Sequence, residues 1–162
     1  MTMSKFLSTA ALAALLCAAS LSVAKAEDAF YLGQWKITGA VPAPWIKSDA
    51  ELFPDEMKSL VGQTITLKSD AIEGPGSFPC KGPKYEVMQG GPDMLFQGGF
   101  GEMQAQNAAN DPQKLAEQVG FTGTDYKTVL TGCEFAIDFS IGADKDIMMF
   151  ALDNAIYTLK RQ

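Results

Sequence analysis

Large apolar side chains alternate with polar ones through much of the C-terminal third of the chain. From Glu134 to Ile141 every second residue is large and apolar, which is the two-residue period of a half-buried strand. The segments Asp146–Leu152 and Ala155–Lys160 are two further strand candidates. Gly142–Lys145 precedes them and Asp153-Asn154 separates them, and both are typical of hairpin turns. This part of the chain therefore predicts an antiparallel meander.

Patterns of the same kind occur nearer the N-terminus. The segments 30–39, 63–68 and 84–88 each place apolar or aromatic residues on one face, and 127–130 is a further candidate strand. Prolines at 42 and 44 end the first of these strands. The apolar or aromatic residues are Leu32, Trp35 and Ile37 in the first segment, the inward-facing Ile65 and Leu67 in the second, and Tyr85 and Val87, which share one face, in the third.

Two short segments have the character of helices. Pro54 to Val61 places apolar residues on one face and ends at a glycine. Asp111 and Pro112 begin the second helix, with a capping side chain and a proline at the first helical position. The predicted fold is mainly β: a small antiparallel β-barrel or strongly curved sheet with two short helices. We expect the last strand to pair with the first.

The segment from Gln89 to Asn110 differs from the rest, because its apolar residues lie among glycines and amides. A long segment without secondary structure in a compact domain is often a lid or a binding loop. We therefore predict that Gln89–Gln106 covers the mouth of the barrel. The candidate ligand-binding residues are Met94, Phe96, Phe100 and Met103.

The first 26 residues have the pattern of a secretory signal. Lys5 is followed by an apolar run from Leu7 to Val23, and Ala24-Lys25-Ala26 provides the small residues of a cleavage site. The prediction is a signal peptide at 1–26, cleaved near Ala26, and one β-barrel-like domain at 27–162. The protein would then be periplasmic, or secreted, without an integral membrane segment. A retained membrane anchor is the alternative, whereas Cys17 is interpreted as part of the apolar run.

Charge and cysteine content limit the possible partners. The chain has 13 basic and 19 acidic residues, and cleavage would remove two lysines, which changes the net charge from −6 to −8. Such a balance repels phosphate backbones and argues against nucleic-acid binding. Cys80 and Cys133 would remain, and an even number of cysteines in an exported domain favours a disulfide between them.

The residue types also restrict the possible chemistry. The chain has no histidine, which is the commonest general base and a common metal ligand. The visible acidic pairs, Asp55-Glu56 and Asp144/Asp146, lie at a predicted helix start and in a turn, where carboxylates are ordinary. We expect neither an enzyme nor a bound metal or cofactor.

Two tripeptides resemble motifs of the lipocalins. Gly33-Gln34-Trp35 is similar to the GxW motif of that family, and Thr124-Asp125-Tyr126 matches its TDY motif in residues and rough spacing. Arg161 corresponds to an arginine that packs across the tryptophan. The resemblance implies an antiparallel barrel that holds a small apolar ligand, with structural roles for Trp35, Tyr126 and Arg161. The glycine-rich and helical sequence between the motifs departs from the family pattern.

Two functions follow as expectations. The first is an exported, lipocalin-like binding protein for a small apolar ligand. The alternative is an interaction or inhibitor protein that presents the 89–106 loop, or the segment around Trp45, to a protein partner. A barrel with an apolar interior cavity favours the first function, and a filled interior with an exposed apolar patch favours the second.

Overall fold

One antiparallel β-sheet and three short helices make up the part of the protein that the structure describes. The computed structural model describes residues 29–48, 53–135 and 137–162, and the elements named here lie within these ranges. The helices are α1 (Pro54–Leu60), α2 (Leu95–Gln106) and α3 (Pro112–Gln118), and a 3-10 turn, Pro92–Met94, precedes α2. The strands are β1 (Gly33–Pro42), β2 (Thr64–Leu67), β3 (Ala71–Glu73), β4 (Cys80–Lys81), β5 (Glu86–Gly90), β6 (Tyr126–Leu130), β7 (Phe139–Ile141), β8 (Ile147–Leu152) and β9 (Ala155–Arg161). The predicted mainly β fold is confirmed, with three helices rather than two.

The described strands lie in the order β4-β3-β2-β1-β9-β8-β7-β6-β5, with antiparallel neighbours. β1 and β9 pair along their length, from Trp35 opposite Arg161 to Pro42 opposite Ala155. The last strand therefore pairs with the first, as the sequence predicts. β4 and β5 are the two edges of this strand order and are not neighbours in it. The sheet is therefore a curled half-barrel and not a closed barrel.

The concave face of the sheet encloses the larger hydrophobic cluster, which we call the inner core. Ile72 of β3 and Val129 of β6 both belong to it, although five strands lie between β3 and β6 in the sheet. The sheet must curl around the cluster to bring these residues together. Within the inner core, Phe150 packs edge-on against Phe78 and stacks on Tyr157.

The side chain of Trp35 belongs to the inner core and contacts the segment before β1. Its side chain is fully buried, and its indole N–H donates to the carbonyl oxygen of Tyr31 over 2.9 Å. The guanidinium of Arg161 lies 4.2 Å from the centre of the indole ring, which places a cation over an aromatic face. Arg161 also donates to the carbonyl oxygens of Leu32 and Phe30. These contacts tie both ends of the described chain to the same tryptophan.

Helices α2 and α3 cover part of the convex face, and the outer core lies between them and the sheet. Met148 belongs to the inner core, whereas the next residue, Met149, belongs to the outer core. From α2, Leu95 and Phe100 are fully buried in the outer core. Because both faces of β8 are covered, that strand is continuously apolar and does not alternate with polar residues.

The two predicted helices begin near the expected residues. Pro54 is the first residue of α1. The side chain of Asp111 caps α3 by accepting hydrogen bonds from the backbone N–H groups of Gln113 and Lys114.

Cys80 and Cys133 form a disulfide, with their Cα atoms 6.1 Å apart. Cys80 lies in β4, at one edge of the sheet, and Cys133 follows β6, beside the other edge. The bond therefore connects the two sides of the half-barrel across its open seam. For a sequence separation of 53 residues the chain-entropy model gives a stabilisation of about 4 kcal/mol.

Two predictions of secondary structure are wrong. The segment 89–106 is not a structureless loop, because β5 extends to Gly90 and α2 begins at Leu95. The strand predicted from Glu134 is shortened to Phe139–Ile141. The preceding residues turn locally, since the hydroxyl of Thr131 donates to the carbonyl oxygen of Ile137, and Phe135 is 60% exposed.

The predicted signal peptide, 1–26, lies outside the described residues. In the ranges that the structure covers, no helix has both the length and the apolar character needed to cross a membrane.

Replacement of Trp35 by alanine should lower the free energy of unfolding by about 3–5 kcal/mol, because it removes a fully buried aromatic ring. Replacement of Phe53, which is 55% exposed, should change it by no more than about 0.5 kcal/mol. Chemical denaturation of the oxidised proteins measures both values. Similar losses in the two variants would contradict the role assigned to Trp35.

Candidate functional site

Side chains fill the interior of the half-barrel. A cavity that remains there, between Ile72, Phe78 and Phe139, measures about 10 Å³, which is roughly the room that one water requires. The segment 89–106 does not cover a barrel mouth, because Leu95 and Phe100 fasten it to the convex face. The larger cavities among the described residues lie outside the inner core.

A cavity of about 280 Å³ lies between the edge of the sheet and the segment 91–98, and we call it the outer groove. Its floor is formed by β5 and β6, in which Met88 lies opposite Thr128. Side chains alternate between the two faces of a strand, so Thr128 and Leu130 line the groove while Val129 is buried in the inner core. The groove is lined by Met88, Gln89, Gly90, Gly91, Met94, Gln97, Gly98, Tyr126, Thr128, Leu130 and Asp138.

The roof of the outer groove contains a turn of left-handed backbone. Phe96, Gln97 and Gly98 have φ angles of 53°, 59° and 84°. This conformation costs about 1–2 kcal/mol for each residue other than glycine. The turn interrupts α2 between Leu95 and Phe100, both of which are fully buried. Packing on both sides thus holds Gln97 over the groove in a strained conformation.

Close approach of the roof to the floor depends on Gly90. A Cβ atom at this position would lie 3.0 Å from Cγ of Met94, which is closer than ordinary contact. A larger residue at 90 would therefore require the side chain of Met94 to shift.

Asp138 lies at one end of the outer groove and is half-buried. Its carboxylate accepts a hydrogen bond of 3.5 Å from the side-chain amide of Gln97 and another from the backbone N–H of Thr131. Burial raises the pKa of Asp138 above its usual value, and these two hydrogen bonds act in the opposite direction.

A second cavity, of about 440 Å³, lies on the other side of the contact between Gln97 and Asp138, and both residues line it as well. We call it the aromatic cavity. Asp153 contributes a second carboxylate to its wall. Among the described residues that line either cavity there is no lysine or arginine. The rings in the wall of this cavity are those of Trp45, Phe96 and Phe135.

The four predicted ligand-binding residues do not all line the same cavity. Met94 lines the outer groove, and Phe96 lines the aromatic cavity. Met103 lines a surface cavity of about 610 Å³ beside Trp45, and Phe96 lines this cavity as well. Phe100 lines none of these three cavities, because it is fully buried in the outer core. The prediction missed the helical conformation of α2, which turns Phe100 towards the sheet.

Asp138 was not predicted as a site residue, although the sequence holds a signal for it. Asp138 and Ser140 alternate with the inward-facing Phe139, so they had to lie on the convex face. Only the fold shows that this face is covered there: Ser140 is buried beside Thr128, with the two hydroxyl oxygens 3.5 Å apart.

Tyr126, for which the lipocalin resemblance implies a structural role, also lines the outer groove. Its ring is buried in the outer core, and its hydroxyl donates to the carbonyl oxygen of Gly123 over 2.6 Å. Burial raises the pKa of this hydroxyl, and a hydrogen bond with Gln113 partly offsets the effect. In the described part of the chain no three or more histidine, cysteine or acidic side chains cluster so that they could hold a metal ion.

Phe100 and Phe96 should differ strongly when each is replaced by alanine. Loss of Phe100 should lower the free energy of unfolding by about 3–5 kcal/mol, since its ring is fully buried. Loss of the partly exposed Phe96 should cost clearly less. Denaturation curves of the two variants provide the comparison. Equal stabilities would show that Phe100 does not anchor α2.

No family model, no curated protein and no solved structure matches the chain. The resemblance to lipocalins therefore rests on the motifs at 33–35 and 124–126 and on the packing of Arg161 against Trp35, and it stays a prediction.

Proposed function

We propose that the protein is an exported binding protein that takes a small, largely apolar ligand into the outer groove. The observation that carries this proposal is the groove itself, with apolar side chains on both its floor and its roof. Its volume of about 280 Å³ is close to the lower end of the range of about 300–1,000 Å³ that is usual for small-molecule sites. Ligand sites are typically concave and apolar with a few polar groups, as here.

Exposed methionines support the proposal. Met88 on the floor and Met94 on the roof are 38% and 47% exposed. A ligand between them would bury apolar surface that now faces solvent, which is favourable by about 25 cal/mol for each Å². Methionine side chains adapt readily to ligands of different shape, because they are unbranched and flexible.

The strained roof also supports the proposal. Return of Phe96 and Gln97 to an ordinary backbone conformation would recover about 1–2 kcal/mol for each residue. That gain would offset part of the free energy needed to lift the roof and admit a ligand.

Export is the second part of the proposal. It is supported by Lys5, by the apolar run 7–23 and by the small residues at 24 and 26. The Cys80–Cys133 disulfide is compatible with it, because disulfides persist in oxidising compartments.

Mass spectrometry of protein from the periplasm or the medium tests the export. The intact mass should correspond to a chain that begins at Glu27 or within a few residues of it, with Cys80 and Cys133 oxidised. A mature protein that retained Met1, or that carried a diacylglycerol on Cys17, would contradict this part of the proposal.

A protein partner at the edge of the sheet is the second candidate. β5 pairs with β6 on one side only, and Val87 and Met88 of this edge strand are 41% and 38% exposed. An extended peptide could add to such an edge through backbone hydrogen bonds. This alternative predicts that the affinity for small apolar ligands does not depend on their size.

A series of straight-chain alcohols from pentanol to decanol tests the binding proposal. Affinity should rise about fourfold with each added methylene, because each is worth about 0.8 kcal/mol when it is buried. The rise should stop once the alkyl chain is longer than the groove, because further methylenes would then stay in solvent. Isothermal titration calorimetry measures the affinities.

Two tryptophan substitutions provide the matched controls for this series. Leu130→Trp should fill the outer groove and abolish binding, since Leu130 lines it. Val87→Trp, on the neighbouring strand but outside the groove lining, should leave binding unchanged. If no alcohol binds saturably, or if Leu130→Trp binds as well as the wild type, the outer groove is not the ligand site.

A further inference from the structure

The place where the outer groove meets the aromatic cavity is negatively charged. Asp138 borders both cavities and Asp153 lies in the wall of the second, whereas the described lining residues of the two cavities include no lysine or arginine. An anionic ligand would meet electrostatic repulsion here from both carboxylates. A cationic ligand would supply the opposite charge.

The hydrogen bonds to Asp138 leave room for a stronger donor. The side-chain amide of Gln97 and the backbone N–H of Thr131 are both neutral donors. The bond from Gln97 measures 3.5 Å, longer than the 2.7–3.2 Å of a typical N–H···O hydrogen bond. A charged N–H donor forms a shorter and stronger bond to a carboxylate, so it could compete with the amide at this oxygen.

Aromatic rings on the far side of Asp138 are also suited to a cation. Trp45, Phe96 and Phe135 line the aromatic cavity, and the rings of Trp45 and Phe96 lie 6.1 Å apart. The face of an aromatic ring attracts a cation within about 6 Å of its centre. Carboxylates and aromatic residues thus line the same cavity, which borders the apolar groove at Asp138.

We infer that the ligand of the outer groove is an organic ammonium ion. Its hydrocarbon part would lie between β5–β6 and the segment 91–98, and its charged nitrogen would lie at Asp138, facing the aromatic cavity. This inference rests on the proposed function, because it names the chemical class of the ligand for the same groove.

The titration behaviour of Asp138 agrees with this assignment. Burial raises the pKa of the carboxyl group, which means that its charge lacks full compensation in the free protein. An ammonium ion beside it would favour the ionised form again.

Three eight-carbon probes test the inference: n-octylammonium, n-octanol and octanoate. They share the same hydrocarbon chain and differ in the charge of the head group. On the exported, disulfide-bonded protein at neutral pH and constant salt, octylammonium should bind about tenfold more tightly than octanol, as expected for a charge-assisted hydrogen bond. Octanoate should bind more weakly than octanol. Isothermal titration calorimetry measures the three affinities, and this comparison requires no variant.

Asp138→Asn removes the charge with little change of shape and should bring octylammonium to within about twofold of octanol, if the tenfold preference arises from this carboxylate. Asp70→Asn makes the same change of charge at the exposed turn between β2 and β3, and it should keep the full preference. Thermal melts confirm that each variant is folded.

The failure of the inference and the failure of the proposed function give different results. If octanol and octylammonium bind equally well, or if Asp138→Asn keeps the preference for the ammonium ion, the inference is wrong while the apolar groove remains a ligand site. If none of the three probes binds, both the proposed function and the inference are wrong.

Discussion

The pairing of β1 with β9 is the interaction on which the rest of the structure depends. In the order of the described strands, β2 to β4 lie on one side of this pair and β5 to β8 on the other, so the backbone pairing of the two halves of the sheet runs through β1 and β9. Trp35 and Arg161 face each other at one end of the pairing, and the guanidinium also packs over the indole ring. This contact lies beside the inner core, to which Trp35 belongs. The disulfide adds a second connection across the open seam.

The filled interior determines where a ligand site can lie. Large rings such as those of Phe78, Phe150 and Tyr157 occupy the concave side, so the room for a ligand is found on the convex side. There the helices cover β8 and β9 closely, whereas the part of β5 and β6 that lines the outer groove lies beneath the segment 91–98. The outer groove therefore lies where the helices no longer pack closely against the convex face of the sheet.

The candidate site combines backbone strain with a carboxylate whose two donors among the described residues, Gln97 and Thr131, are both neutral. The left-handed turn at 96–98 brings Gln97 to Asp138 and thereby separates the outer groove from the aromatic cavity. Both features cost free energy in the unliganded protein, the first through steric crowding and the second through desolvation of a charge. A ligand that replaced the amide with a charged donor would compensate for the second cost and permit relief of the first.

The sequence by itself determined the mainly β class, the pairing of the last strand with the first, the helix starts at Pro54 and Asp111 and the partners of the disulfide. These features depend on local patterns: alternation along a strand, capping chemistry and the number of cysteines. Only the tertiary structure decided that Phe100 is buried, that Met94 and Met103 line different cavities and that Asp138 faces a groove. Apolar residues among glycines are compatible with either a mobile loop or a packed helix, and the choice depends on whether a sheet face lies beneath them to be covered. That face is formed by strands distant in sequence, so no local pattern could reveal it.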